Sequence, residues 1–208
     1  MDTVVIIPAR YNSRRFPGKV LAELKGKPVI EHVYQRSLQA ELVDQVLIAT
    51  DDQRVVERVK EFGGRAVMTA AEHQSGTDRL AEVARDLAAG IIVNVQGDEP
   101  LIRPAMIDQA IKILKNSQDI QMSTLASPIS EITAQKDDRV KVVLDKNNHA
   151  LYFSRAKIPY YRDMDKLEQK YLQHIGLYVY KRDFLLKYTD LEPTPLEKAE
   201  SLEQLRAL

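Results

Sequence analysis

The sequence predicts an α/β fold, a mostly parallel sheet flanked by helices with a small antiparallel sub-domain late in the chain. Short apolar runs alternate with helical-period segments from Val4 to Leu114, as in a parallel sheet covered on both faces. After Val140 the pattern changes to paired strand-like runs around a polar turn, the mark of a hairpin. The length of 208 residues suits one domain, or one with a small appendage. A chain of that size buries about 70% of its unfolded surface and holds a core without cross-links.

Val4–Ile7 is a continuous apolar run, expected of a strand buried on both faces. Pro28 stands where a first helical residue would, and Val29, Val33 and Leu38 carry a helical period to about Ala40. Val46–Ala49 reads as a second buried strand. Val55, Val56, Val59 and Phe62 mark a helix that Gly63-Gly64 stops. Ala66–Met68 is a short strand. Ser75 and Asp78 have capping-box spacing ahead of Leu80, Val83, Ala84 and Leu87. Ile91–Val95 is a strand, and Ala105–Leu114 a helix opened near Pro104. Val140–Leu144, the turn Asp145–Asn148 and Ala150–Phe153 form the predicted hairpin, with a further strand at Ile175–Tyr180. Thr194, Pro195 and Glu197 supply an N-cap, a first-turn proline and a capping-box acid for a last helix expected to run to Leu208.

Lys plus Arg and Asp plus Glu are both 30, for a net charge of zero. That balance argues against bulk nucleic acid or an anionic membrane surface as the main partner. The absence of cysteine excludes disulfides, thiolate zinc sites and thiol catalysis. No apolar run approaches the roughly 18 residues of a membrane span. Met1-Asp2-Thr3 leads straight into a strand without a basic leader. The expectation is a soluble intracellular protein.

Three segments carry chemistry. Pro8–Lys19 (PARYNSRRFPGK) follows the first strand, at the sheet edge where open α/β folds bind ligands. Its arginines and lysine suit a polyphosphate, Arg as a fork and Lys as a point charge. It is not a P-loop, because Val20 follows Gly18-Lys19 and Ser13 stands where a glycine is needed. A solvated basic loop is the competing explanation, which its place after a strand disfavours. Gln96–Pro100 (QGDEP) leaves another buried strand. A carboxylate there can hold Mg²⁺, which takes hard oxygen ligands and substrate phosphates. By spacing alone, a turn or helix cap before Pro100 explains Asp98 or Glu99 equally well. For His73–Arg79 (HQSGTDR), a simple helix cap is the favoured explanation on physics alone.

Together and in this order, these segments resemble the 3-deoxy-manno-octulosonate cytidylyltransferases, the CMP-Kdo synthetases. ATD at Ala49–Asp51, VKVVLD, ALYFSRAKIP, HIGLY at His174–Tyr178 and LEQLR at Leu202–Arg206 extend the likeness almost end to end. The resemblance implies a nucleotide-diphospho-sugar transferase-like fold over residues 1–208, with an antiparallel dimerisation sub-domain at about 126–180. It implies that Arg10, Ser13, Arg15 and Lys19 hold the CTP phosphates, with Lys19 and Arg15 catalytic, and that Ser75, Gly76 and Thr77 lie beside the cytosine. Asp98 would be catalytic and bind the Mg²⁺ cofactor. Gln96, His174, Tyr178, Glu203 and Gln204 would line the sugar-acid pocket, with Arg155 nearby. On residue type alone, His174 also reads as a structural histidine, Tyr178 as packing in the sub-domain and Glu203 as a solvated helix charge. Glu197 is assigned to helix capping only.

The implied reaction joins CMP from CTP to Kdo, feeding lipopolysaccharide synthesis in a Gram-negative cytoplasm. The partners would be CTP, Kdo and a second copy in a homodimer, with no nucleic acid and no membrane. Other sugar acids (amino-Kdo, sialate) and a non-catalytic truncated nucleotide binder are the alternatives. Family members continue past LEQLR with a strand and a second metal-binding aspartate, so the C-terminal part of the family fold is expected to be absent from a chain ending at Leu208.

Overall fold

The computed structural model describes residues 2–11, 16–73, 75–162 and 170–208. In chain order these form β1 (Thr3–Pro8), a 3₁₀ turn (Lys19–Leu21), β2 (Glu23–Leu24), β3 (Lys27–Pro28), α1 (Val29–Leu38), β4 (Gln45–Thr50), α2 (Gln53–Glu61), β5 (Ala66–Met68), α3 (Gly76–Arg85), β6 (Ile91–Val95) and α4 (Pro104–Asn116). Then come β7 (Met122–Ile129), α5 (Glu131–Ala134), β8 (Lys141–Leu144), β9 (Ala150–Ser154), β10 (Tyr171–Lys181), α6 (Arg182–Thr189), α7 (Pro195–Glu200) and a 3₁₀ turn (Glu203–Ala207). The chain divides into two compact units, Met1–Ser123 with Gly176–Thr189, and Thr124–Ile175 with Asp190–Leu208.

The first unit is built on parallel strands in the order β5-β4-β1-β6. The second half of β10 adds an antiparallel edge, with Tyr178 opposite Asn94. Val4–Ile7 and all of β6 are buried, so their unbroken apolar runs reflect covering on both faces. Val4, Ile6, Leu47, Ala49 and Ile92 pack with Leu80, Ala81, Val83 and Ala84 of α3 and Leu185 of α6. Side chains alternate across a strand, so Val5 and Ile7 face the other layer. Arg182 donates to the Ala84 and Arg85 carbonyls at 2.7 Å each, satisfying the last turn of α3 and tying α6 to it. The strand at Ile175–Tyr180 is therefore longer than expected, and its second half belongs to the main sheet. Pro28 is the N-cap of α1 rather than its first helical residue.

In the second unit, β8 and β9 form the predicted hairpin, with a register shift at Val143/Leu144. Val142 and Phe153 pack on Leu202 and Leu205. The last helix does not reach Leu208 as expected. It ends at Glu200, where Ser201 turns left-handed (φ 51°, ψ 51°). That turn redirects the chain so that Leu202 and Leu205 enter the hairpin cluster, and apolar burial outweighs the roughly 1–2 kcal/mol of a non-glycine residue in that conformation. Glu197 closes the capping box with Thr194 and also receives a bidentate Arg206 guanidinium at 2.5 and 2.9 Å. That guanidinium holds its carboxyl below the usual range. Capping alone thus understates Glu197, which also pins the chain's last turn.

Candidate active site

Adjacent parallel strands β1 and β6 both deliver loops from their carboxyl ends, the ligand edge of such sheets. From β1 the chain runs through Arg10 to Tyr11. It returns at Gly18, whose N–H donates to the Tyr11 carbonyl at 2.7 Å. Gly18 has φ +72°, and a Cβ there would meet the Tyr11 ring at 3.2 Å, so glycine closes this loop. The Arg54 guanidinium, held by Asp52, covers the Tyr11 ring at 3.4 Å, a cation–π contact. Ser13 and Arg15, expected on the phosphates, lie outside the described residues.

From β6, Gly97 passes so close to β1 that a Cβ would lie 2.8 Å from the Pro8 carbonyl oxygen. The close approach brings Asp98 to the start of the 3₁₀ turn after the basic loop. Lys19 Nζ and Asp98 Oδ2 are 2.6 Å apart, each side chain 45% exposed. The expected phosphate lysine and metal carboxylate are therefore neighbours.

Ser75 caps α3, accepting from the Asp78 N–H at 3.1 Å while Asp78 accepts from the Ser75 N–H at 2.9 Å. The capping role is real, and it aims the first turn, Gly76 and buried Thr77, alongside Pro8. The Arg79 guanidinium is fully buried, donating to Thr69 Oγ1 and, at 2.9 Å, to Asp51. Arg10 donates to the His73 carbonyl at 2.6 Å.

Gln96 donates to Asn94 Oδ1 at 3.1 Å, and Asn94 stands directly opposite Tyr178. Tyr178 packs against the first-unit core and stacks near Tyr180, not in the sub-domain. Asn94, a lone polar residue in an otherwise apolar strand, thus orients the Gln96 amide.

The other sugar-pocket candidates lie in the second unit. His174 is buried, with Nε2 2.9 Å from Thr124 Oγ1 and its ring edge-on to Phe153 at 5.0 Å. Burial lowers its pKa from 6.5 to about 4, so the imidazole is neutral near pH 7. Because the folded pKa lies below the unfolded one, its contribution is complete above pH 6.5 and is lost as pH falls toward 4. We expect about 3 kcal/mol of stability to disappear over that window. Denaturant titrations of His174→Gln across those pH values should show a flatter acid limb, and an unchanged limb would refute the assignment.

Arg155 has its guanidinium engaged by three backbone carbonyls, those of Glu200 at 2.8 Å, Asp137 at 3.2 Å and Ser201 at 3.4 Å. Its backbone N–H donates to the Glu200 carboxylate at 2.9 Å. It thereby braces the turn that leads to Glu203 and buried Gln204. Glu203 sits on a 3₁₀ turn, not on the extended helix expected.

Among the described residues no group of three or more His, Cys, Asp or Glu side chains forms a metal cage. Asp98 nonetheless fits Mg²⁺, which typically binds one or two carboxylates and completes its shell with water and phosphate. Its oxygen already attracts a cation, the Lys19 ammonium.

The cytidylyltransferase family model matches residues 4–208. A 3-deoxy-manno-octulosonate cytidylyltransferase of Geobacter metallireducens is 54% identical over all of this chain and 86% of its own length. One of Escherichia coli is 47% identical over 99% of this chain and 82% of its own. A solved CMP:2-keto-3-deoxy-manno-octonic acid synthetase, complexed with CTP, superposes with a TM-score of 0.95 at 47% identity, covering 99% of this chain and 85% of that one. A Leptospira borgpetersenii cytidylyltransferase at 16% identity and TM-score 0.64 shares the fold. The chain belongs to the cytidylyltransferase family, among the 3-deoxy-manno-octulosonate cytidylyltransferases.

Proposed function

We propose that this protein transfers CMP from CTP to the anomeric hydroxyl of 3-deoxy-D-manno-octulosonate, releases pyrophosphate, and depends on Mg²⁺. The observation that carries the reading is the Lys19–Asp98 pair at the carboxyl ends of adjacent strands, in a chain that superposes on a CTP-bound synthetase. The sugar hydroxyl attacks the α-phosphorus in line, the bond to the pyrophosphate oxygen breaks, and the hydroxyl proton leaves to solvent. Such transfers are driven by positioning and charge neutralisation. Lys19 and Arg10, with Arg15, neutralise charge growing on the leaving pyrophosphate. Lys19 exchanges its Asp98 partner for phosphate oxygens when CTP enters. Asp98 would hold Mg²⁺, which supplies Lewis-acid neutralisation of phosphate charge. Gln96 and Tyr178 are assigned to the sugar acid. Neutral His174 hydrogen-bonds to Thr124 without adding charge to the second unit. Arg155 is assigned to bracing the turn that carries Glu203 and Gln204.

Assembly as a homodimer and a place in the cytoplasm belong to the same proposal. Large apolar side chains stand exposed in the second unit, Ile132 at 75%, Leu151 at 61% and Tyr160 at 88%, and they support a covered face there. The deciding experiment is pyrophosphate release with CTP, Kdo and Mg²⁺, each omitted in turn. Release that requires all three supports the reading. Release with sialate in place of Kdo, or with no sugar acid at all, overturns the substrate assignment.

A further inference from the structure

We propose that Glu82 is a positioning residue for the CTP site, setting the direction of the Arg10 guanidinium through the Ala70–His73 segment. The proposal rests on the reading of Arg10 as a phosphate ligand.

Glu82 lies on α3, about two turns beyond the cap at Ser75. Its carboxylate accepts the Ala70 N–H at 3.0 and 3.3 Å from its two oxygens. It also meets the His73 imidazole at Nε2. The carbonyl of His73 accepts Arg10 at 2.6 Å. One carboxylate thus holds both the start of the segment and the ring of the residue whose carbonyl orients Arg10. Arg79, three positions earlier on the same helix face, holds the preceding residue through Thr69 Oγ1.

The arrangement contributes little to the core. Ala70, Ala71 and Glu72 are exposed, so the described contacts that restrain the segment are polar rather than apolar. The His73 pairing and the Ala70 N–H both hold the Glu82 carboxyl below its usual range, favouring the charged acceptor that the contacts need. A carboxylate fixed to one helix face, and connected through one carbonyl to a ligand arginine, is suited to orientation. Displacement of a ligand group by about 1 Å can cost a hundredfold in rate.

The test is a double-mutant cycle on the full chain with Glu82→Ala, Arg10→Ala and the double variant, each checked by thermal melting. CTP dissociation constants come from calorimetry, and KM values for CTP and Kdo from pyrophosphate release. Glu82→Ala should weaken CTP about tenfold and leave KM for Kdo unchanged. The double variant should be no weaker than Arg10→Ala alone, because the two residues act on one contact. Glu82→Gln, which keeps an acceptor for Ala70, should restore most of the affinity. His73→Ala, which leaves the helix untouched, should weaken CTP in the same sense. Multiplying effects in the double variant, or a lowered melting temperature with CTP affinity intact, would overturn the proposal. If Arg10→Ala alone leaves CTP binding unchanged, the phosphate reading of Arg10 fails first and takes the proposal with it.

Discussion

Asp98→Asn should reduce pyrophosphate release on the order of a thousandfold and leave the melting temperature in place. Asp98 lies beyond the end of β6, and its side chain is 45% exposed. Its ion pair with Lys19 is therefore largely solvated, and such pairs contribute about 0–1 kcal/mol. Asparagine keeps the shape and an acceptor oxygen but removes the charge. A hard divalent cation held by one protein carboxylate loses its principal anchor with that charge. Structure and chemistry thus separate cleanly at this position. Steady-state assays across a Mg²⁺ series, alongside circular dichroism melts, would measure both. A folded Asp98→Asn protein that turns over at the native rate sinks the metal assignment.

How much of this was legible beforehand depends on the range of each signal. Val4–Ile7, Val46–Ala49 and Ile91–Val95 announced the parallel strands because burial on both faces writes itself into consecutive residues. The capping boxes at Ser75–Asp78 and Thr194–Glu197 were readable because their hydrogen bonds close within three residues. The late chain was harder. Leu202 and Leu205 have helical spacing, yet they are placed by a left-handed Ser201 that no periodicity reveals. Lys141 looks like an ordinary strand lysine in VKVVLD. In the structure it is fully buried, with Nζ donating to the carbonyls of Lys136 at 2.8 Å and of Arg139 and Arg155 at 2.5 Å. Burial accordingly lowers its pKa. Those partners come from two separate segments, so only the fold assembles them.

The site divides along the same line. The basic loop and Gln96–Pro100 were legible because each follows a buried strand, and their meeting at Lys19–Asp98 required the β1–β6 pairing. Glu82 passed unnoticed because a glutamate on a helix face is ordinarily solvated. Its partners Ala70 and His73 lie across a loop from it. Arg155 carried the opposite difficulty. Its three carbonyl partners make it a brace under Glu203–Gln204, a role its motif did not announce.

Lys19→Ala should weaken CTP about thirtyfold, with little change in stability. A hydrogen bond to a charged group is worth about 1.5–3 kcal/mol, and the ammonium is being asked to meet phosphate oxygens. Among the described residues its ionic partner is Asp98, with both side chains 45% exposed, so its removal leaves the fold largely unaffected. The substitution also separates two roles that the ion pair joins. Without the ammonium, Asp98 is left without its cation, and a metal ion no longer competes with Lys19 for that carboxylate. Calorimetry with Mn²⁺ in the absence of nucleotide should then show tighter metal binding in the variant than in the native protein, while CTP binding moves the other way. Lys19→Arg should restore only part of the CTP affinity, because a planar fork replaces a compact point charge beside a close-packed Gly18. Unchanged CTP affinity in Lys19→Ala would remove the lysine from the phosphate site, and the Lys19–Asp98 contact would then be only a surface ion pair.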